Sequence, residues 1–151
     1  MVKGSRSKVV VLSVLAVLAG IVVNIVLSLA LDALFQRLGV LPAAGQAMTD
    51  AQHVLPFSYR VLIALLGFYA TARLAPVRPM RHAMVLAAIA FALTLMTTLA
   101  SWNSAHVVQP HWFQLSMLLL LFPLAWLGGW MGNGGRRELN RQEMGDGGKS
   151  A

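Results

Sequence analysis

The sequence predicts an all-α, polytopic membrane protein, a bundle of four transmembrane helices. Its 151 residues are 58% hydrophobic and only 11% charged, with a mean hydropathy of +0.69, whereas soluble domains carry about 25% charged residues. Four apolar stretches are long enough to cross a bilayer as helices, which takes about 20 residues each. The continuous apolar run Val9–Leu31 also lacks the alternating polarity of β-barrel strands. We therefore expect one domain without a soluble catalytic unit.

The first predicted span covers about residues 9–38, after a short cytoplasmic N-terminus of residues 1–8. Basic residues precede the apolar run, as they do in a signal peptide: Lys3, Arg6 and Lys8. The run is longer than the apolar region of about 7 to 15 residues typical of signal peptides, which favours an uncleaved anchor helix over a cleaved one. Gly39 is predicted to end this helix as its C′ residue.

The second span is predicted at about residues 57–74. Thr49 and Gln52 have the spacing of a capping box, so a helix is expected to begin near Asp50. Pro56 is expected either to kink this helix or to separate a short surface helix from the span.

The third span is predicted at about residues 82–102. Two X-Pro steps precede it, at Pro76 and Pro79, and each disfavours helical backbone in the residue before the proline. A stiff turn is therefore expected between the second and third helices.

The fourth span is predicted at about residues 112–130. Three glycines follow and are expected to end the helix: Gly132, Gly134 and Gly135. The transmembrane domain is thus placed at residues 9–132. The polar, glycine-containing residues 133–151 are expected to form a disordered cytoplasmic tail.

The distribution of basic residues predicts the orientation in the membrane. Of the 12 Lys and Arg, all but Arg37 and Arg60 lie on one side if both termini and the loop between the second and third spans are cytoplasmic. The positive-inside rule favours this arrangement. Trp102 and Trp112 then lie at the outer interface, where tryptophan is common.

Small and polar residues follow one face of the first and third spans at intervals of four, or of four and three, as in closely packed membrane helices. The two series are Ala16, Gly20, Asn24, Ser28 and Asp32, and Ala83, Ala87, Ala90, Thr94, Thr97 and Ser101. The favoured interpretation is tight packing with polar contacts at Asn24, Ser28, Thr94 and Thr97. The alternative is a polar-lined path or a ligand cavity.

An ion pair between Asp32 and Arg60 is the intramembrane polar site that the sequence predicts. Counted along ideal helices from the basic residues at the cytoplasmic ends, both residues reach the outer half of the membrane. An unpaired charge there is costly, and Asp32 is the only acidic residue in the predicted spans. Asp50 is a competing partner; alternatively, Arg60 reaches lipid phosphate and Asp32 caps its helix.

The loop between the second and third spans carries Arg73, Arg78 and Arg81. Basic residues at a membrane surface fix the orientation or bind anionic lipid headgroups, and the two roles are compatible. The expected partners are therefore the lipid bilayer and a second copy of the chain or a partner membrane protein. The net charge of +7 lies beside apolar segments, so no nucleic acid is expected.

No catalytic residue, metal site or cofactor is predicted. The chain has no Cys, which excludes thiol chemistry, disulfides and iron–sulfur ligation. The sequence contains no phosphate-binding glycine loop, zinc-protease motif or hydrolase nucleophile elbow. His106 and His111 are separated by Pro110 and lack the one-face spacing of paired metal ligands.

Several stretches of the sequence carry a resemblance to other proteins. They are Tyr59-Arg60 with Gly67 and Tyr69, Thr71–Pro76, Arg78–Ala83, Pro110–Trp112 and Pro123–Gly129. With these stretches, residues 32–130 resemble a group of small uncharacterised bacterial four-span inner-membrane proteins. The resemblance implies the bacterial inner membrane as the location and implies no activity. Small multidrug transporters share the size and span number, but their membrane-embedded Glu in the first span has no counterpart here.

We expect a non-enzymatic membrane protein that acts as a structural or accessory component, packed with itself or with a larger membrane complex. The alternative is a small transporter or channel component, although Arg60 is the only ionisable residue between the interfacial zones of the spans. An enzyme ranks third, because nothing in the sequence arranges acidic, histidine and tyrosine side chains into a site.

Overall fold

The computed structural model of the protein describes residues 3–43, 46, 48–102 and 109–147. The described residues form four helices: α1 (Lys3–Arg37), α2 (Asp50–Leu74), α3 (Pro79–Ser101) and α4 (His111–Gly147). Each contains a segment long and apolar enough to cross a membrane, which in α4 ends at Gly134. The predicted all-α bundle with four candidate transmembrane helices is confirmed.

The end of α1 is fixed by Gly39, as the sequence predicts. Gly39 has φ +70°, a left-handed conformation that favours glycine. Its N–H donates to the Gln36 carbonyl at 3.1 Å, and the Val40 N–H donates to the Phe35 carbonyl at 3.0 Å. These two bonds form a Schellman motif, which satisfies carbonyl groups left over at the end of α1.

The start of α2 is a capping box, also as predicted. The Thr49 hydroxyl accepts a hydrogen bond from the Gln52 N–H, and the Gln52 side chain accepts one from the Thr49 N–H at 2.9 Å. From Asp50 the helix runs through Pro56 without a break. The alternative of a separate surface helix before Pro56 is therefore wrong, since membrane helices tolerate a proline where the freed backbone groups find other partners.

The turn between α2 and α3 spans Ala75 to Arg78. Arg78 is the non-glycine residue in the described chain with positive φ, at +50°, and it reverses the chain direction immediately before Pro79. Pro79 occupies the first turn of α3, where its missing N–H has no helical partner to lose. The third helix therefore begins three residues earlier than the predicted span at residue 82.

The end of α4 differs from the prediction. The helix passes through all three glycines and continues to Gly147, so residues 133–147 are helical and not a disordered tail; residues 148–151 lie outside the described chain. Gly132 serves packing instead of helix termination, because a Cβ built on it would lie only 2.6 Å from the Ala72 Cβ. The segment that follows is rich in good helix formers, which offset a cost of about 1 kcal/mol per glycine.

The bundle is built around α2 and α4. Both pack on each other and on α3, whereas α1 packs mainly on α2 and more weakly on α3. Among the described residues, α1 does not pack on α4. A buried apolar cluster joins α2, α3 and α4: Ala64, Phe68, Leu86, Ala87, Leu121, Leu124 and Ala125. The fourth helix therefore completes the core, and α1 lies at its side.

The bundle has two ends, which are used below as reference points. At the Asp32 end, α1 and α3 end and α2 and α4 begin; at the Arg78 end, α2 ends and α3 begins. The predicted small faces pack at the Arg78 end, where Ala16 and Gly20 of α1 and Ala83 and Ala87 of α3 are buried. Leu86, beside this face, is also buried.

Candidate functional site

A cavity of about 810 Å³ lies in the half of the bundle toward the Asp32 end. Its walls come from all four helices. The polar residues that line it include Asn24, Ser28, Thr94, Thr97, Thr98 and Ser101. The predicted packing positions Asn24, Ser28, Thr94 and Thr97 all line this space, as the alternative of a cavity expects. Asn24 also packs against α2, because a Cβ built on Gly67 would lie 3.6 Å from the Asn24 amide nitrogen.

The hydroxyl groups of α3 can line an open space because of how they are satisfied. Thr97 donates to the Leu93 carbonyl at 3.1 Å and the Thr94 carbonyl at 2.9 Å, and Ser101 donates to the Thr97 carbonyl at 2.8 Å. A hydroxyl bonded to its own helix needs no partner from another helix. Small residues permit close packing without enforcing it, so α1 and α3 can leave space between them.

The cavity opens sideways between α1 and α3. On the α1 side its rim is formed by Ile25 and Leu29, which are 52% and 64% exposed, and on the α3 side by Ile89 and Leu93, which are 40% and 60% exposed. Exposed apolar side chains on the flank of a transmembrane bundle face lipid tails. In a bundle that spans a membrane, an opening with this rim would face the hydrocarbon region.

The predicted pair of Asp32 and Arg60 lines the cavity at its Asp32 end. Arg60 Nη2 lies 3.0 Å from Asp32 Oδ2, so the structure brings these two residues together. Their side chains are only 25% and 31% exposed, which weakens solvent screening. Asp50, the competing partner, lies exposed in the first turn of α2.

Tyr59 completes this charged cluster, and the sequence did not predict its role. Its hydroxyl donates to Asp32 Oδ1, while its ring stacks on Phe35 with centroids 5.5 Å apart. Tyr59 and Arg60 are neighbours on α2, so their side chains point about 100° apart around the helix. They nevertheless bond to different oxygens of the same Asp32 carboxylate.

Two buried polar atoms near this cluster have no hydrogen-bond partner among the described residues: Arg60 Nε and Gln114 Oε1. Both residues line the cavity. The Arg60 guanidinium carbon lies 5.8 Å from the centre of the Phe113 ring, and Gln114 Nε2 donates to the Gln109 carbonyl at 3.4 Å. Both atoms are fully buried, so neither is open to a molecule in the cavity.

A second, smaller cavity of about 130 Å³ lies beneath the connection between α1 and α2. It is lined by residues of that connection and by His53. The buried His53 ring packs edge-on against the Phe113 ring, with the two ring centres 6.1 Å apart. Four residues line both cavities: Asp32, Arg60, Gln109 and Phe113. The ion pair thus lies between the membrane-facing cavity and the surface connection.

The three arginines predicted to contact lipid headgroups lie together at the Arg78 end, away from the cavity. Arg73 lies in the last turn of α2, Arg78 precedes α3, and Arg81 is exposed in the first turn of α3. No group of three or more His, Asp or Glu residues suited to a metal ion is found among the described residues. His106 lies outside them.

The arrangement suits binding better than acid–base chemistry. Both Asp32 oxygens already accept hydrogen bonds, from Tyr59 and Arg60, so this carboxylate is held as an acceptor. The cavity combines apolar walls with a polar group at one end, as small-molecule sites do. Comparison of the chain with models of protein families, with curated proteins and with solved structures finds no match.

Proposed function

We propose that this protein is a non-enzymatic, multi-pass membrane protein that binds a small amphipathic molecule taken from the bilayer. The observation that carries the proposal is the 810 Å³ cavity, whose size lies within the range of about 300–1,000 Å³ for small-molecule sites. Its side opening admits a molecule already dissolved in the membrane. Its polar end matches the head of an amphipath, and its apolar rim matches the tail.

In this proposal the protein acts as an accessory component that holds its ligand for, or with, a second copy or a larger membrane complex. A catalytic role is disfavoured because Asp32, the acidic residue of the cavity, is engaged by two donors. A base must be free to accept a proton from its substrate. The polar cluster is better suited to fixing the position of a bound head group.

The proposed location is the bacterial inner membrane, with both termini and the Arg78 end in the cytoplasm. The resemblance supports the membrane, and the distribution of Lys and Arg supports the orientation. In that orientation Arg73, Arg78 and Arg81 lie beside the anionic cytoplasmic leaflet. Each basic residue near such a surface contributes about 1 kcal/mol to lipid attraction.

Native mass spectrometry of the protein released from its own membranes tests the binding function. We expect a lipid-sized adduct on the unaltered chain and its loss in Thr94→Trp, because the indole fills the cavity. Met96→Trp is the matched control, since Met96 lies two residues away and is 68% exposed on the outward face of α3. An adduct retained equally by both variants would place the bound molecule outside the cavity and reject the proposal.

A small transporter component is the second candidate, and the position of the ion pair between two cavities favours it. Separation of Asp32 from Arg60 would join the membrane-facing cavity to the space under the α1–α2 connection. Native co-purification and flux measurements distinguish the two functions. An accessory protein should co-purify with a fixed partner, whereas a transporter should move its substrate across liposomes that contain only this chain.

A further inference from the structure

Building on the proposed binding function, we infer that the cavity takes its ligand from one leaflet only, the leaflet at the Asp32 end of the bundle. The ligand is then a lipid of that leaflet, bound with its head toward the Asp32 end and its tail toward the middle of the membrane. In the proposed orientation this is the outer leaflet. The inference stands on where the cavity ends along the helices, where it opens, and how the polarity of its α3 wall changes.

The cavity is closed toward the Arg78 end, where α1 and α3 touch. A Cβ built on Gly20 of α1 would lie only 2.9 Å from Leu86 Cδ2 of α3, and Leu86 is 6% exposed. Ala16 and Ala83, still nearer the Arg78 end, are buried as well. Gly20 and Leu86 are also the first residues of α1 and α3 that line the cavity. They form its floor, so a lipid of the other leaflet meets two packed helices there.

The depth of the cavity matches a single leaflet. The helix α3 runs from Pro79 to Ser101, so at about 1.5 Å per residue it is about as long as a hydrocarbon core of about 30 Å is thick. Its middle residue, Ala90, therefore marks the middle of a membrane that the bundle spans. The α3 residues that line the cavity extend from Leu86, about 6 Å on the Arg78 side of Ala90, to Ser101. Most of the cavity thus lies in the half of the membrane at the Asp32 end.

The side opening lies in the same half. On α3 its rim residues are Ile89, at the middle of the helix, and Leu93, about 6 Å farther toward the Asp32 end. On α1 the rim residues Ile25 and Leu29 lie about 8 and 14 Å from the floor residue Gly20 in the same direction. A lipid that diffuses in the leaflet at the Asp32 end therefore meets the opening directly.

The α3 wall changes from apolar to polar at one position along the helix. Every α3 residue that lines the cavity up to Leu93 is apolar, and every one from Thr94 onward carries a hydroxyl group. The two sets are Leu86, Ile89, Ala90 and Leu93, and Thr94, Thr97, Thr98 and Ser101. A lipid of this leaflet has the same order, with its tail at the middle and its head at the surface, so it can enter without turning over. A lipid of the opposite leaflet has the reverse order.

Photolabelling from one leaflet at a time tests the inference. Two single-cysteine variants, Val40→Cys at the Asp32 end and Val77→Cys at the Arg78 end, are reconstituted in phosphatidylcholine vesicles at a dilution that leaves a single chain in each occupied vesicle. The chain has no other Cys, so capture with an impermeant biotin–maleimide isolates vesicles with the chosen end outward. A lysophosphatidylcholine with a diazirine in its chain is then added from outside and irradiated. Its charged head keeps it in the outer leaflet of the vesicle.

We expect the cavity to be labelled from the Asp32 side only. The label on Ser28 and Thr97, which line the cavity, is divided by the label on an outward residue of the leaflet that holds the probe. That residue is Leu99 at the Asp32 end and Val85 at the Arg78 end, 66% and 51% exposed. The ratio should be at least about tenfold higher from the Asp32 side, because a charged head crosses the hydrocarbon core slowly.

A filled cavity provides the matched control. Thr94→Trp, added to Val40→Cys, should remove the labelling of Ser28 and Thr97, because the indole occupies the cavity. Met96→Trp, added to the same variant, should leave it unchanged, since Met96 is 68% exposed and does not line the cavity. Labelling that survives Thr94→Trp would mean that the probe reaches these residues from outside the cavity and would overturn the inference.

The outcomes separate this inference from the proposed function. Equal ratios from the two sides, or a higher ratio from the Arg78 side, would overturn entry from a single leaflet and leave the binding function standing. Absence of cavity labelling from both sides, with Leu99 and Val85 labelled, would overturn both. The comparison of the two sides uses no substitution in the cavity, so it decides the inference even where Thr94→Trp does not fold.

Discussion

The backbone of Gly20 on α1 lies directly against the hydroxyl of Thr71 on α2. A Cβ built on Gly20 would overlap Thr71 Oγ1 and would lie only 2.8 Å from the Gly67 carbonyl oxygen. Thr71 is completely buried, and among the described residues its Oγ1 has no conventional hydrogen-bond partner. A Cα–H group in contact with such an oxygen acts as a weak donor. This contact sets the spacing between α1 and α2.

Enlarging Gly20 should separate these two helices. Gly20→Val is expected to lower the free energy of unfolding by about 1–3 kcal/mol, because the side chain meets backbone atoms that cannot move aside. Gly134→Ala is the control, since a Cβ there meets nothing within 4 Å. Chemical unfolding in detergent measures both variants. Equal stability of the two would contradict the close crossing.

The ion pair should appear as a coupling energy between its two residues. Asp32→Asn and Arg60→Gln are each expected to destabilise the protein, because each leaves a partly buried charge without its partner. The double variant should lose less than the sum, by about 1–2 kcal/mol. Unfolding measurements on all four proteins complete the cycle. Strict additivity would show that the two side chains do not stabilise each other.

The hydroxyl of Tyr59 should matter independently of its ring. Tyr59→Phe keeps the stacking on Phe35 and removes the donor to Asp32, so a loss of about 1–2 kcal/mol in unfolding free energy is expected. Tyr69→Phe removes a hydroxyl from the same helix away from the charged cluster and should change little. A smaller loss at position 59 than at position 69 would rule out a structural role for the Tyr59 hydroxyl.

The face of α3 that packs on its neighbours should tolerate neither larger nor smaller side chains. Ala87→Leu is expected to lower stability by about 1–3 kcal/mol through overpacking, and Leu86→Ala by about 2–5 kcal/mol through a cavity. Leu99→Ala, at a position 66% exposed, should have little effect because lipid fills the space. Thermal shifts in detergent report all three, and a large effect at Leu99 would reverse the face assignment.

Single cysteines should report the orientation in the membrane, since the chain has none of its own. Val77→Cys in the turn before α3 is expected to be protected from an impermeant thiol reagent in intact cells. Val40→Cys, at the opposite end of the bundle, should react. Both native side chains are about half exposed, so accessibility within the protein is similar. Labelling at position 77 from outside the cell would reverse the proposed orientation.

The sequence was sufficient for features that depend on local patterns. The number of helices follows from four apolar stretches, the end of α1 from Gly39, and the start of α2 from the spacing of Thr49 and Gln52. The partnership of Asp32 and Arg60 could also be predicted, because the membrane leaves a charge few alternatives. These signals need no knowledge of how the helices are arranged.

The remaining features depend on that arrangement. Small residues along α1 and α3 are compatible with both contact and separation, so the sequence could not distinguish a packed seam from the cavity. Gly132 carries the signal of a helix end, but its contact with Ala72 is a property of two packed helices. The role of Tyr59 required the crossing of α1 over α2 to be known.

The position of α1 beside α2 has a consequence for assembly during membrane insertion. α1 precedes α2 and α3 in the chain, so during insertion we expect it to enter the bilayer before these packing partners. An aspartate in a lone helix opposes insertion by up to about 2.5–3.5 kcal/mol at the bilayer centre and by less near the surface. Arrival of α2 supplies Arg60 and Tyr59, which relieve this opposition. The cavity wall contributed by α4 comes last, so a growing chain acquires its charged cluster before its binding space.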